Sequence, residues 1–448
     1  MLLGKHLKTA VWIAFAFIYF GLTLHTLRSL PFLGDDIEMI QKGALLFEFP
    51  SSVLEPDLAG RNHILWYIFL GILYQVFGLI PFVYYFCNLL FHGLTACLIA
   101  AASRRLGVGS FGAWISAFFF LVLSYHFPIV GWIGEMCRAM MLFFLLASFL
   151  LFDTFRKTAV KKFLFLSLGA WFLAMNCIEE AIMLPVLLIG YDLFVRRQKI
   201  PAFFSKKEMS VYFPFFLLML LCVISQKALY SYGVHDNLVA SPAWKEKILG
   251  IAWGVSAILI PRREALEWFT NFPPTLAFRL LVAAVCFLPF VAGLLNPDFW
   301  KNPRNRSILI FSLWWFAVIS FPFMLLPTTT DSWTDYKPRY LYAPSAALAF
   351  FAGAFVESTF ARIRKIRRLP LRLLSTAAIL LSCVYFYSYN LWAFTHMTRK
   401  WTQGGRLHSF SVWVPWGNNY SGSPALSRML YESKFPLKSP EIQERANQ

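Results

Sequence analysis

The chain has 448 residues, of which 58% are hydrophobic and only 14% charged, against roughly 25% charged in a soluble domain, and this excludes an ordinary water-soluble globular protein. Lys and Arg number 41 against 23 Asp and Glu, for a formal charge of +18. That excess lies in short clusters between apolar runs, as in cytoplasmic loops beside anionic lipid; no basic patch with stacking aromatics stands outside a span, so no nucleic-acid partner is expected.

Lys5 and Lys8 precede an uncharged run over 9–27, close to the roughly 20 residues that cross a bilayer. It ends in no small-residue cleavage site, which predicts a retained signal anchor with the N-terminus in the cytoplasm. The first outer loop, 28–81, then holds Asp35, Asp36 and Glu38 and an apolar run over 64–80 closed by Pro81. The next run, 82–102, ends in Arg104 and Arg105, a cytoplasmic signature. Residues 64–80 are therefore expected to lie on or dip into the outer face rather than cross.

Spans follow over 111–129 and 136–152, with Glu135 and Arg138 at their outer turn and Arg156, Lys157, Lys161 and Lys162 at the inner one. Spans over 163–177 and 182–195 enclose Glu179 and Glu180 and are closed by Arg196, Arg197, Lys199, Lys206 and Lys207. A span over 212–225 goes out. Between it and Lys301, Arg304 and Arg306 the charges allow one net crossing, given to 281–295, while the shorter run 248–260 is expected to be re-entrant or interfacial. Spans over 308–326 and 341–356 lead to the cluster Arg362, Arg364, Lys365, Arg367, Arg368 and Arg372, and 373–392 is the last.

The expectation is an all-α polytopic membrane protein of about 11 transmembrane helices with extracytoplasmic interfacial helices, because only helices or closed barrels satisfy the backbone in lipid. It divides into a transmembrane module, 1–392, and a short extracytoplasmic tail, 393–448, carrying Trp401, Trp413 and Trp416. The 7 cysteines lie in or at the edge of apolar runs; they give neither a disulfide framework nor a zinc spacing and are read as packing residues.

Several constellations fall on the outer face. Asp35 and Asp36 sit at the membrane boundary, where acids are costly unless used. Such a pair serves as a general base toward an acceptor hydroxyl, as a ligand of a divalent metal, or as a helix cap. Lys337 and Arg339 stand beside Tyr336, Tyr340 and Tyr342, as a phosphate site or as an aromatic belt with snorkelling cations. Glu179 and Glu180 are interfacial acids, substrate-orienting groups or partners of Arg138. Asn88 and His92, four apart on one helix face, are read as interhelical hydrogen-bonding groups.

Four stretches together carry a resemblance. They are Gly34-Asp35-Asp36 after the first span; Asn88 and His92 ahead of Arg104-Arg105-Leu106; Glu180-Ala181, Pro185 and Tyr191-Asp192; and Arg339-Tyr340-Leu341-Tyr342-Ala343-Pro344-Ser345. In this order they resemble the GT-C superfamily of polytopic glycosyltransferases, within it the protein O-mannosyltransferase-like branch. The resemblance implies a polyprenyl-phosphate-linked sugar as donor, an extracytoplasmic acceptor (protein, lipid or glycan) and transfer of a hexosyl or pentosyl group with inversion. Carried over, Asp35 or Asp36 is the catalytic base, Asp35 first. Arg339, with Lys337 beside it, meets the donor phosphate, while Glu135, Arg138, Glu180 and Tyr340 are candidates for substrate binding.

The chain departs from the family pattern in places. The family often has an acid shortly after a His in the second outer loop; here His126 is followed by Phe127-Pro128, and Glu135 is the nearest acid. Pro338 stands where Glu often precedes the Arg-Tyr pair, and the tail offers no repeat of the roughly 34-residue kind. No cofactor and no metal are expected, since two adjacent acids lack a third ligand nearby. The expected setting is a bacterial inner membrane, or the endoplasmic reticulum of a eukaryote. The alternatives are a transporter or flippase of lipid-linked saccharide and an inactive scaffold of the same fold.

Overall fold

The computed structural model describes residues 17–28, 30, 32, 36–51, 63–123, 126–197, 205–229, 275, 277–278, 280–281, 295, 297–325, 340–365, 377 and 388. Apart from isolated positions they form helices joined by short turns, with no strand among the described residues. An apolar chain in lipid has no water to bond its peptide groups, so each segment closes its own ladder.

In chain order the helices are α1 (Phe17–Leu27), α2 (Asp36–Glu48), α3 (Ile64–Phe77), α4 (Pro81–Leu106), α5 (Ser110–Leu121), α6 (Phe127–Gly131), α7 (Met136–Thr158), α8 (Lys161–Met175), α9 (Leu184–Gly190), α10 (Lys206–Leu229), α11 (Pro297–Lys301), α12 (Pro303–Leu325) and α13 (Ser345–Lys365). Tight helical turns at Ile133–Glu135 and Glu179–Met183, and a π-helical turn at Tyr191–Val195, connect some of them. Among the described residues four stretches are long and apolar enough to cross a membrane: Pro81–Leu106, Ile133–Thr158, Glu208–Ser225 and Pro303–Pro322. The expected segments 248–260, 281–295 and 373–392, with the tail 393–448, lie largely or wholly outside the described residues.

α4 and α7 form the centre. Pro81 in the first turn of α4 gives up an N–H that has no helical partner anyway. Gly107 ends the helix at φ 96°, and Val108 N–H reaches back 2.9 Å to the Ser103 carbonyl. The Ile133–Thr158 stretch is 72% buried by protein, whereas Glu208–Ser225 is only 11% buried, so α7 is core and α10 lies at the lipid face.

Small residues set the closest helix contacts, as expected where apolar burial alone does not favour protein over lipid. α2 and α3 form a hairpin in which a Cβ on Gly71 would come within 2.2 Å of the Gly43 carbonyl oxygen. α5 meets α13 at Gly112 and Gly353, where a Cβ on Gly353 would lie 2.3 Å from the Gly112 carbonyl oxygen. At 14 residues, α3 reaches about 21 Å, short of the roughly 30 Å hydrocarbon core. Its pairing with α2 agrees with a helix that does not cross.

One expected span is not continuous. The run 111–129 is helical only to Leu121, and a separate five-residue helix begins at Phe127. His92 Nε2 lies 3.1 Å from the Leu121 carbonyl oxygen. That carbonyl would otherwise accept from the next turn of the helix, so a side chain from α4 has taken the place of the continuing ladder. The segment 182–195 is likewise resolved into α9 and the π-helical turn after it.

The end of the bundle that carries Arg104 and Arg105 is fastened by ion pairs. Asp153 and Asp192 have no exposed surface. Asp153 meets Lys157 at 2.8 Å and Arg105 at 3.3 Å and accepts a hydrogen bond from the Tyr191 hydroxyl. Asp192 meets Arg156 at 2.9 Å and Arg196 at 3.0 Å and accepts from Tyr212 at 2.5 Å. Arg156 also holds Glu208 at 2.5 Å, so α4, α7, α10 and the π-helical turn are joined there. We call this the basic end; Asp36 lies at the other.

Candidate active site

Asp36 is the first residue of α2 and has no exposed surface. Its Oδ1 accepts the Gly134 N–H at 3.1 Å, and its carboxylate accepts a hydrogen bond from the Tyr85 hydroxyl at the start of α4. A buried carboxylate is tolerable only with such donors. The Ile133–Glu135 turn that supplies the N–H is held in place from two sides. Asn88 Nδ2 donates to the Trp132 carbonyl at 2.9 Å and Cys137 Sγ to the Gly134 carbonyl at 3.4 Å. Asp36 thus ties the start of α2 to the turn that presents Glu135. Asp35 lies outside the described residues.

Arg138 is the hub of the neighbouring cluster. Its Nε donates to Glu135 Oε2 at 2.6 Å, one helical turn back, and its Nη1 pairs with Glu180 Oε1. The guanidinium lies 4.7 Å from the centre of the Tyr340 ring. Glu135, Arg138 and Glu180 are 5%, 4% and 6% exposed, so the trio is a buried charge network whose carboxylates outnumber its cation. Glu180 stands on the Glu179–Met183 turn, which is fixed by Trp171 Nε1 donating to the Ala181 carbonyl at 2.7 Å. Beside it His63 Nε2 lies 3.6 Å from Glu179 Oε2, and Leu65 N–H donates to the Asn176 carbonyl at 3.0 Å. These contacts join the start of α3 to the end of α8.

The four candidates Glu135, Arg138, Glu180 and Tyr340 therefore come together from three distant parts of the chain. Arg339 and Lys337 lie outside the described residues, and Tyr340 is the described neighbour of Arg339.

A second buried group, which sequence reasoning only half reached, holds the Tyr340 segment. Because the Leu121 carbonyl can only accept, His92 Nε2 carries the proton and Nδ1 accepts from the Tyr342 hydroxyl at 3.1 Å. His126 Nε2 is 2.9 Å from Ser345 Oγ, whose own proton goes to the Tyr342 carbonyl at 2.6 Å. Trp315 Nε1 donates to the Ala343 carbonyl at 3.0 Å. His92 bears out interhelical hydrogen bonding; His126 stands out in the sequence only as the His without a following acid, and Tyr85 and Trp132 carry no motif of their own that would have marked them.

No protein-family model matches this sequence, and no curated protein sequence matches it. Among solved structures it is similar to ArnT from Cupriavidus metallidurans in the apo state, at 13% identity over 88% of this chain and 78% of that one, with a TM-score of 0.47. The same protein bound to undecaprenyl phosphate matches at 13% identity over 87% and 77%, also with a TM-score of 0.47. The archaeal oligosaccharyltransferase AglB from Archaeoglobus fulgidus, in complex with an inhibitory peptide and a dolichol-phosphate, matches at 12% identity over 90% of this chain and 59% of that chain, with a TM-score of 0.50. At such identity the likeness to AglB speaks for the fold alone: the described residues form a helical membrane fold similar to that of AglB.

Proposed function

We propose that this protein is a glycosyltransferase that moves a sugar from a polyprenyl-phosphate donor to an acceptor on the extracytoplasmic side, with inversion at the anomeric carbon. The observation that carries this reading is the convergence of the Asp36 loop, the Glu135–Arg138–Glu180 trio and Tyr340 at one end of the bundle. Of the motifs that resemble the GT-C enzymes, Asp36, Glu180 and Tyr340 fall on those same stretches, while Arg104-Arg105 and Tyr191-Asp192 lie at the basic end. The dolichol-phosphate held by AglB is of the class of lipid phosphate that leaves in the proposed transfer, and the motif set favours the protein O-mannosyltransferase-like branch.

In the proposed reaction Asp35 takes the proton of the acceptor hydroxyl as its oxygen attacks the anomeric carbon. The bond from that carbon to the phosphate oxygen breaks, and the lipid phosphate leaves with the electron pair. Arg339, with Lys337, meets the charge gathering on the phosphate. Asp36, with no exposed surface, acts as a positioning residue that fixes the loop carrying Asp35. The Arg138 cluster shapes the acceptor side. No covalent intermediate and no metal are required, and the site faces away from a cytoplasmic N-terminus.

The test is sugar release from a panel of polyprenyl-phosphate sugars by the purified protein in nanodiscs, with Asp35→Asn beside wild type. Retained donor binding with turnover lowered by about two to four orders of magnitude supports Asp35 as base. No turnover of any donor by wild type, or equal turnover by the variant, returns the protein to transport or scaffolding.

A further inference from the structure

At the basic end, between the Gly107 turn, the start of α12 and the last turns of α13, lies a cleft of about 330 Å³. This is at the lower edge of the roughly 300–1,000 Å³ range of small-molecule sites, so it suits a headgroup rather than a bulky ligand. Its polar lining is Arg304, Arg362, Asn302, Asn305, Ser358 and Glu357. Tyr85, which meets Asp36, and Gly107, which borders the cleft, stand near opposite ends of α4. The cleft is therefore separate from the candidate active site.

Its charge favours an anion. Among the described lining residues the only carboxylate, Glu357, accepts the Gly109 N–H at 2.5 Å. Arg304 forms no ion pair among the described residues. Its stem lies against Gly107, where a Cβ would come within 2.7 Å of Cδ; the missing side chain makes room for it. Asn302 Oδ1 caps the Arg304 N–H at 3.0 Å, and the positive end of the 23-residue helix α12 faces the same space. Farther along α12, Ile310 and Leu313 are 46% and 62% exposed, so the helix that begins at the cleft runs on along the lipid.

We propose that this cleft binds a phosphate group, supplied either by an anionic phospholipid headgroup or by a soluble phosphate compound. Two guanidiniums beside neutral amides and a hydroxyl match the fork geometry of phosphate oxygens.

The test is native mass spectrometry of the delipidated full chain titrated with phosphatidylglycerol, with phosphatidylcholine, and with glycerol 1-phosphate as soluble competitor. Wild type should retain phosphatidylglycerol several-fold better than phosphatidylcholine. The double variant Arg304→Gln, Arg362→Gln should lose about tenfold of that retention, while Arg304→Lys, Arg362→Lys keeps most of it. Asn305→Asp, which adds a carboxylate and leaves both arginines, should weaken retention as well and serves if the double Gln variant misfolds. Competition by glycerol 1-phosphate in the millimolar range identifies a soluble phosphate as occupant; none identifies the lipid. Equal retention of both lipids by wild type, or undiminished phosphatidylglycerol retention by the folded variants, overturns the proposal.

Discussion

The guanidinium of Arg138 is held between two carboxylates and the face of Tyr340, whose ring centre lies 4.7 Å away. Removing the cation leaves Glu135 and Glu180 buried against each other. Arg138→Met should therefore lower stability by about 3–5 kcal/mol, read as a large fall in Tm. Tyr340→Phe keeps the ring and should leave Tm nearly unchanged, whereas Tyr340→Ala should cost about 0.5–2 kcal/mol. A Tyr340→Phe variant as unstable as Tyr340→Ala would show that the hydroxyl, and not the ring, is what Arg138 uses.

The two adjacent acids are expected to separate in their effects. Asp36→Asn keeps an acceptor for the Gly134 N–H but turns an amide toward other buried groups, and should cost about 1–3 kcal/mol. Asp35→Asn should leave Tm unchanged while turnover falls. Thermal unfolding measured alongside sugar release on both variants checks this; a stable Asp36→Asn enzyme without activity would move the base to Asp36.

At the α2–α3 hairpin the prediction is steric. A Cβ on Gly71 would stand 2.2 Å from the Gly43 carbonyl oxygen, and the two helices must part to admit it. Gly71→Ala should cost about 1–3 kcal/mol and lower turnover, because the N-terminus of α2 carries Asp36. Gly169, around which a Cβ meets nothing within 4 Å, is the control: Gly169→Ala should be neutral or slightly stabilising.

The ion pairs at the basic end are buried on one side, so salt should not dissolve them. Arg156→Met leaves Asp192 with Arg196 and removes the pair with Glu208, and should cost about 2–3 kcal/mol, below the full penalty for an orphaned charge. Raising salt from about 0.05 to 1 M should change the wild-type Tm little, since screening acts on exposed charges. A fall in the wild-type Tm as large as that from Arg156→Met would place these pairs in water.

Much of this arrangement is legible before the structure. Hydropathy marks the four long apolar helices found among the described residues, and the spacing of Glu135 and Arg138 puts them on neighbouring turns of one helical face. Pairing of Glu180 with Arg138 stands among the readings of that acid. The Asp36 contact was not legible, because its partners are a tyrosine on another helix and a backbone N–H, and a backbone donor has no sequence signal. Nor was the break after Leu121: hydropathy over 111–129 is uniform, and it ends on a hydrogen bond from His92. The cleft joins Arg304 and Arg362, each of which reads alone as part of an ordinary basic loop.

α10 has a further consequence. Its inward contacts are made low on the helix, where Tyr212 reaches Asp192 and the Phe215 ring stands 5.8 Å from Phe152 and 5.5 Å from Trp171. Beyond them Leu220, Leu221, Val223 and Ile224 are 43–54% exposed. The helix is thus fastened at the basic end, and farther along only one stripe, with Leu218, Met219 and Cys222, packs against the bundle. Among the described residues the outward side of α10 over 213–224 carries only apolar side chains, so the bilayer itself forms that part of the wall of the bundle.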